Sequence, residues 1–92
     1  MKFRKAKWND VEMSGLMGYV TTDYKTLVKK LGKPHILGGD KTTVEWQIVF
    51  ENGVVATIYD WKYGQTPKGI CQWNIGGHHK DAVKLVTELV RS

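Results

Sequence analysis

One cysteine among 92 residues leaves Cys71 without a partner for an internal disulfide, so packing alone must hold the fold. Prolines number only two, Pro34 and Pro67, and the apolar stretches are of strand length. A membrane-spanning helix needs about 20 apolar residues, which excludes that kind of span. No charged-then-apolar leader opens the sequence, and with the lone thiol the expectation is a cytoplasmic protein. Low-complexity segments and internal repeats are missing too. Hydrophobic content of 41% and charged content of 25% are those of an ordinary globular chain. Residues 1–92 therefore read as a single domain, because two halves would each be too small to bury a useful core.

Acidic residues are the scarcer charge, 9 against 14 Lys and Arg, for a net charge of +5 and a pI near 9.4. Lys2, Arg4, Lys5 and Lys7 crowd the start, and Lys25, Lys29, Lys30 and Lys33 crowd one helix and its exit. Such a balance suits an anionic partner and also serves solubility. Residues 1–12 mix these lysines with Phe3 and Trp8, and three readings stay open: a flexible basic tail, an edge strand, or an arm that orders on binding.

The strongest pattern lies in residues 43–61. Val44, Trp46, Ile48 and Phe50 alternate with Glu45, Gln47 and Val49, the period of two of a half-buried strand. If Glu51, Asn52 and Gly53 form a three-residue loop with Gly53 left-handed, Phe50 faces Val54, and Ala56 and Ile58 join the core side. Val55, Thr57, Tyr59 and Trp61 then share the other face with Glu45 and Gln47. A tight Asn52-Gly53 turn would slip the register by one and bury Tyr59 and Trp61 beside Trp46. The first register is preferred because it makes an unbroken apolar set of Val44, Trp46, Ile48, Phe50, Val54, Ala56 and Ile58.

Residues 13–20 read as a strand with Leu16, Gly18 and Val20 alternating with Gly15, Met17 and Tyr19. Thr21, Thr22 and Asp23 supply a helix start, and Tyr24, Leu27, Val28 and Leu31 recur at helical spacing up to Gly32 and Pro34. Gly38, Gly39 and Asp40 imply a turn before the hairpin. After the loop of residues 63–69, residues 70–75 form a strand with Cys71, Trp73 and Ile75 toward the core and Gln72 and Asn74 away from it. Gly76 and Gly77 are expected to end that strand, and Ala82, Val83, Val86, Leu89 and Val90 mark an amphipathic final helix. The fold class is α+β, in the order β-α-β-β-β-α, with both helices on one face of a mostly antiparallel four-stranded sheet.

Tyr59 and Trp61, with Tyr63 beyond them, form a line of aromatics suited to stacking on bases, and Glu45, Gln47 and Thr57 add polar reach. The bland reading is that these rings are covered by the N-terminal segment or by a homodimer contact between sheet faces. Gly76, Gly77, His78 and Lys80 run from strand into helix, where free backbone N–H groups would meet an anion, although no P-loop or dinucleotide pattern is present. Lys62, Lys80 and nearby His78 would meet phosphate. His35, His78, His79 and Cys71 do not stand at zinc-ligand spacing, and no metal or cofactor is expected. Asp60, between two aromatics on the core side, reads as a buried partner for a backbone or helix group, and Cys71 as a small buried hydrophobe. Neither a nucleophile with its base nor a carboxylate pair is visible, so the expectation is a protein that is not an enzyme.

The segments Gly18-Tyr19-Val20, Leu31-Gly32-Lys33-Pro34, Glu45-Trp46, Val55-Ala56-Thr57-Ile58-Tyr59-Asp60-Trp61-Lys62 and Trp73-Asn74-Ile75-Gly76-Gly77 together resemble a family of small α+β domains encoded mainly by bacteriophages. The likeness spans residues 18–90, with IYDWK and WxIGG its most specific parts. It implies a host-cell cytoplasmic setting and action by binding: sequestering a nucleotide signal or blocking a host defence or replication protein. It supplies no site residue. The expectation from both lines is a small binding protein for an anionic ligand, a nucleotide or nucleic acid, in counter-defence, with inhibition of a host protein through the aromatic face as the alternative.

Overall fold

The computed structural model describes residues 1–39 and 41–92; Asp40, part of the expected turn, lies outside them. The fold is α+β, and every strand pairing is antiparallel. In chain order the elements are β1 (Phe3–Lys5), α1 (Trp8–Val11), β2 (Gly15–Thr22), α2 (Tyr24–Leu31), β3 (Ile36–Leu37), β4 (Val44–Phe50), β5 (Val55–Tyr59), β6 (Cys71–Gly77) and α3 (Asp81–Arg91). Among the described residues the sheet has six strands rather than four, in the order β1-β4-β5-β6-β2 with β3 also on β4, and there are three helices rather than two. The three extra elements are two to four residues long, too short to show a period in sequence.

The hairpin takes the register with the longer loop. Ile48 faces Ala56, Trp46 faces Ile58 and Glu45 faces Tyr59, while the Phe50 N–H donates to the Val54 carbonyl at 2.9 Å. Gly53 sits at φ +89°, where a side chain would be strained. Trp46, Ile48, Phe50, Ala56, Ile58, Trp73 and Ile75 thus share one sheet face with Leu27 and Leu31 of α2 and Ala82 and Val86 of α3. Trp46 and Trp73 meet edge to face with centroids 5.9 Å apart. Their indole N–H groups donate to the Gly32 carbonyl at 2.9 Å and the Thr22 carbonyl at 3.1 Å, so the two rings hold opposite ends of α2. Asp23 caps that helix by accepting the Thr26 N–H at 2.9 Å, and Thr26, first through its hydroxyl, keeps the Asp23 carboxyl below its usual range.

Within residues 1–12, Phe3–Lys5 take the edge-strand alternative and Trp8–Val11 form a short helix. β1 and β3 lie end to end along one edge of β4, and the gap between them falls at Gln47. There the Gln47 carbonyl accepts the Ala6 N–H at 2.8 Å, and the Gln47 N–H donates to His35 Nδ1 at 3.0 Å. A side chain thereby completes a backbone ladder that two short strands leave open. Burial, and next Lys5, keep the His35 imidazole below its ordinary value of 6.5. Beyond β1, α1 crosses to the face opposite the large helices, and Ala6 and Val11 cover Val49 and Val55. The Asp10 carboxylate anchors this turn by accepting the Lys7 N–H at 2.8 Å and Arg4 Nη1 at 3.1 Å; these bonds, the first above all, hold its pKa down.

Gly76 and Gly77 do not end β6. They continue it, paired with Leu16 and Gly15 on one side and Thr57 and Ala56 on the other. A Cβ on Gly77 would stand 2.6 Å from the Val55 carbonyl oxygen, so glycine is required where the hairpin strand passes so close.

Candidate aromatic basin and its basic neighbour

The sheet face turned away from α2 and α3 has two halves. α1 covers the end bearing Val49 and Val55. The other end is a basin of about 490 Å³ lined by Leu16, Tyr19, Tyr59, Trp61, Tyr63, Gln72 and Asn74. The alternation of β5 and β6 places Tyr59, Gln72 and Asn74 here, as the preferred hairpin register requires. Leu16 and Tyr19 arrive together for a different reason. A bulge between Leu16 and Gly18 advances the phase of β2 by one residue, so Leu16 pairs with Gly76 and Tyr19 with Asn74 on the same face. A regular strand would have put them on opposite faces.

Gly76 forms part of the floor. A Cβ there would lie 2.5 Å from Thr57 Oγ1, so the bare backbone makes room for that side chain, while at 3.6 Å from Tyr59 Cε1 it would make only ordinary contact with the ring. Tyr59 and Trp61 then meet edge to face, centroids 6.3 Å apart. Trp61, Tyr63, Tyr19 and Leu16 remain about half exposed, at 46%, 48%, 47% and 51%. The Cys71 thiol beside Tyr63 is the main influence raising its hydroxyl above the ordinary 10.0. Among the described residues no charged side chain lines the basin. Neither the Gln72 nor the Asn74 amide has a hydrogen-bond partner among the described residues.

A cleft of about 320 Å³ adjoins Trp61 in sequence, lined by Gly39, Lys41, Thr42, Thr43, Lys62 and Gly64. Asp60 builds the ground beneath it. Fully buried, Asp60 accepts the Thr43 N–H at 2.8 Å, the Thr43 hydroxyl at 2.7 Å and the Val44 N–H at 3.2 Å. This is the backbone-partner role expected of it. Lys62 follows with φ +60°, and its N–H donates to the Lys41 carbonyl at 2.8 Å. Its Nζ lies 5.9 Å from the Trp61 ring centroid.

The residues singled out from sequence therefore separate into groups. Tyr59 and Trp61 line the basin, Gly76 underlies it and Lys62 flanks it. Thr57 is buried beside Gly76 on the neighbouring strand, and the Gln47 amide is occupied by Glu45 Oε2 at 2.7 Å, so neither lines the basin. Gly77 faces Ala82 on the helix side. His78 and Lys80 lie past the far end of β6, beside α1, where His78 Nε2 donates to the Asp10 carbonyl at 2.6 Å. Nor do they form an anion nest: the glycines are strand residues, and His79 Nδ1 already accepts the Asp81 N–H at 3.1 Å. Leu16, Tyr19, Gln72 and Asn74 are the lining residues that reading the sequence missed. The outward parity of Gln72 and Asn74 was visible, but nothing local marks the bulge. Among the described residues no three His, Cys, Asp or Glu side chains stand close enough to hold a metal ion, and no helix is long and apolar enough to cross a membrane. The chain matches no known family model, no curated protein and no solved structure.

Proposed function

We propose that the protein is a non-enzymatic binding protein that holds a nucleotide, or a base of single-stranded nucleic acid, by its ring in the aromatic basin. The observation that carries this reading is the lining: four aromatic rings and two unpartnered amides around a concave floor, with no charge among them. A planar heterocycle needs that combination. Rings supply stacking faces at about 1–3 kcal/mol per base, and Asn and Gln amides each offer a donor and an acceptor to a base edge. A bare phosphate would find nothing in the basin to neutralise it. The basic contribution belongs to Lys62 at the rim, while His78, Lys80 and Gly77 stand outside this site.

Calorimetric titration of the purified protein with nucleosides, nucleotides and short single-stranded oligonucleotides tests the reading. Trp61→Ala should weaken binding about 5- to 150-fold, the loss of one stack, with folding unchanged because the ring is half exposed. Equal affinity in parent and variant would sink it. A second reading, docking of a host protein on the same face, is favoured by the four large side chains that remain half exposed together. Binding that resists rising salt would point to that partner, since phosphate contacts weaken steeply with ionic strength.

A further inference from the structure

We infer that the cleft beside the basin is a phosphate subsite, so that a nucleotide bound by its ring extends its phosphates past Lys62 into it; this rests on the ring reading of the basin. The two depressions share consecutive residues, for Trp61 lines one and Lys62 the other. Two lysines from different loops line the cleft, and the Lys62 N–H bond to the Lys41 carbonyl fixes their backbones side by side. Neither lysine is ion-paired among the described residues. Thr42 adds a hydroxyl, seated against Gly39, and Gly64 has nothing packed on it, which leaves that wall low enough for a tetrahedral group to approach the backbone.

Lys62 also occupies a costly position. At φ +60° a glycine would be free of the steric strain that a side chain suffers, so a turn alone does not call for lysine there. The Asp60 carboxylate below does not oppose the anion as a bare charge would, because Thr43 and Val44 donate three hydrogen bonds to it. Two ammonium groups, a hydroxyl and open backbone are the chemistry of a phosphate site.

The test is calorimetry on the full chain with adenosine, ADP, inorganic pyrophosphate and a short oligodeoxyadenylate at low salt. ADP should bind roughly tenfold or more tightly than adenosine. That ratio should fall to about one in Lys62→Gly and in Lys41→Ala/Lys62→Ala. Lys62→Gly should melt no lower than the parent, which separates loss of charge from loss of fold. Tighter oligonucleotide than ADP binding would assign the phosphate to a nucleic-acid backbone, and the reverse to a free nucleotide. If adenosine and ADP bind the parent equally, the cleft is not a phosphate subsite while the basin stands. If neither binds, the basin reading fails, and pyrophosphate alone decides: binding lost in Lys62→Gly sustains the subsite, and no binding overturns it.

Discussion

Replacing Asp60 should separate the energetic worth of its hydrogen bonds from that of its volume. In Asp60→Ala the Thr43 and Val44 N–H groups, now held at 2.8 and 3.2 Å by one carboxylate oxygen, lose their acceptor, the first in a part-buried site and the second in a buried one. A buried donor left unpaired costs about 1–3 kcal/mol. The Thr43 hydroxyl loses less, since Thr66 Oγ1 lies 2.7 Å away and remains a partner. The two N–H groups together come to about 2–6 kcal/mol, against about 5–14 kcal/mol for the whole stability of a chain of this length. The melting point should fall by at least about 8 °C. In Asp60→Asn the amide oxygen can still accept from both backbone groups, and its NH₂ can donate to the Thr43 hydroxyl, which in turn donates to Thr66. The cost should be about 1–2 kcal/mol. Urea and thermal denaturation followed by circular dichroism measure both. An Ala variant within about 1 kcal/mol of the parent, or an Asn variant as damaged as Ala, would refute the hydrogen-bond account of this residue.

Two further outcomes follow from the sheet. Because burial and Lys5 depress the His35 pKa, the folded state favours neutral imidazole, and its Nδ1 must stay unprotonated to accept the Gln47 N–H. The unfolded chain takes up that proton near the ordinary 6.5, so the stability His35 contributes is present above about pH 6.5 and is lost as pH falls through the lower folded value. Melting points at pH 7.5 and 5 should differ more in the parent than in His35→Phe, and Gln47 should lose amide-exchange protection in acid; a His35→Phe profile as steep as the parent's would assign the effect elsewhere. Gly76→Ala should destabilise by about 1–3 kcal/mol, because its methyl would press on Thr57 Oγ1 and on the Gly15 carbonyl 3.3 Å away. Adding Thr57→Ala should recover part of that loss in the same denaturation assay, and no recovery would show that the clash lies elsewhere.

The hairpin, α2 and the role of Asp60 were legible because each is written in residues near one another. Alternation along residues 44–50 and 54–58, with Gly53 between, specifies which side of the sheet is core, and one register alone keeps the apolar set whole. Asp23 and Gly32 bound α2 by filling its first N–H and ending its last turn. Asp60 is charged at a core position, and a buried carboxylate must find donors. The number of strands was less legible. β1 and β3 exist only because the β4 edge offers them unpaired backbone groups, and residues of so little local preference take their structure from that contact.

The candidate site divides along the same line. By itself the chain determined that Tyr59 and Trp61 face away from the core and that Gln72 and Asn74 share that orientation, since strand periodicity is a local property. Only the tertiary structure decided that Leu16 and Tyr19 join them, that α1 covers half the face, that Gly76 and Gly77 extend a strand, and that His78 and Lys80 fall at its far end. Those outcomes turn on a bulge, a crossing turn and the close approach of β2 and β5 to β6. Each is a contact between segments distant in sequence, and its energy depends on neighbours that no local pattern encodes.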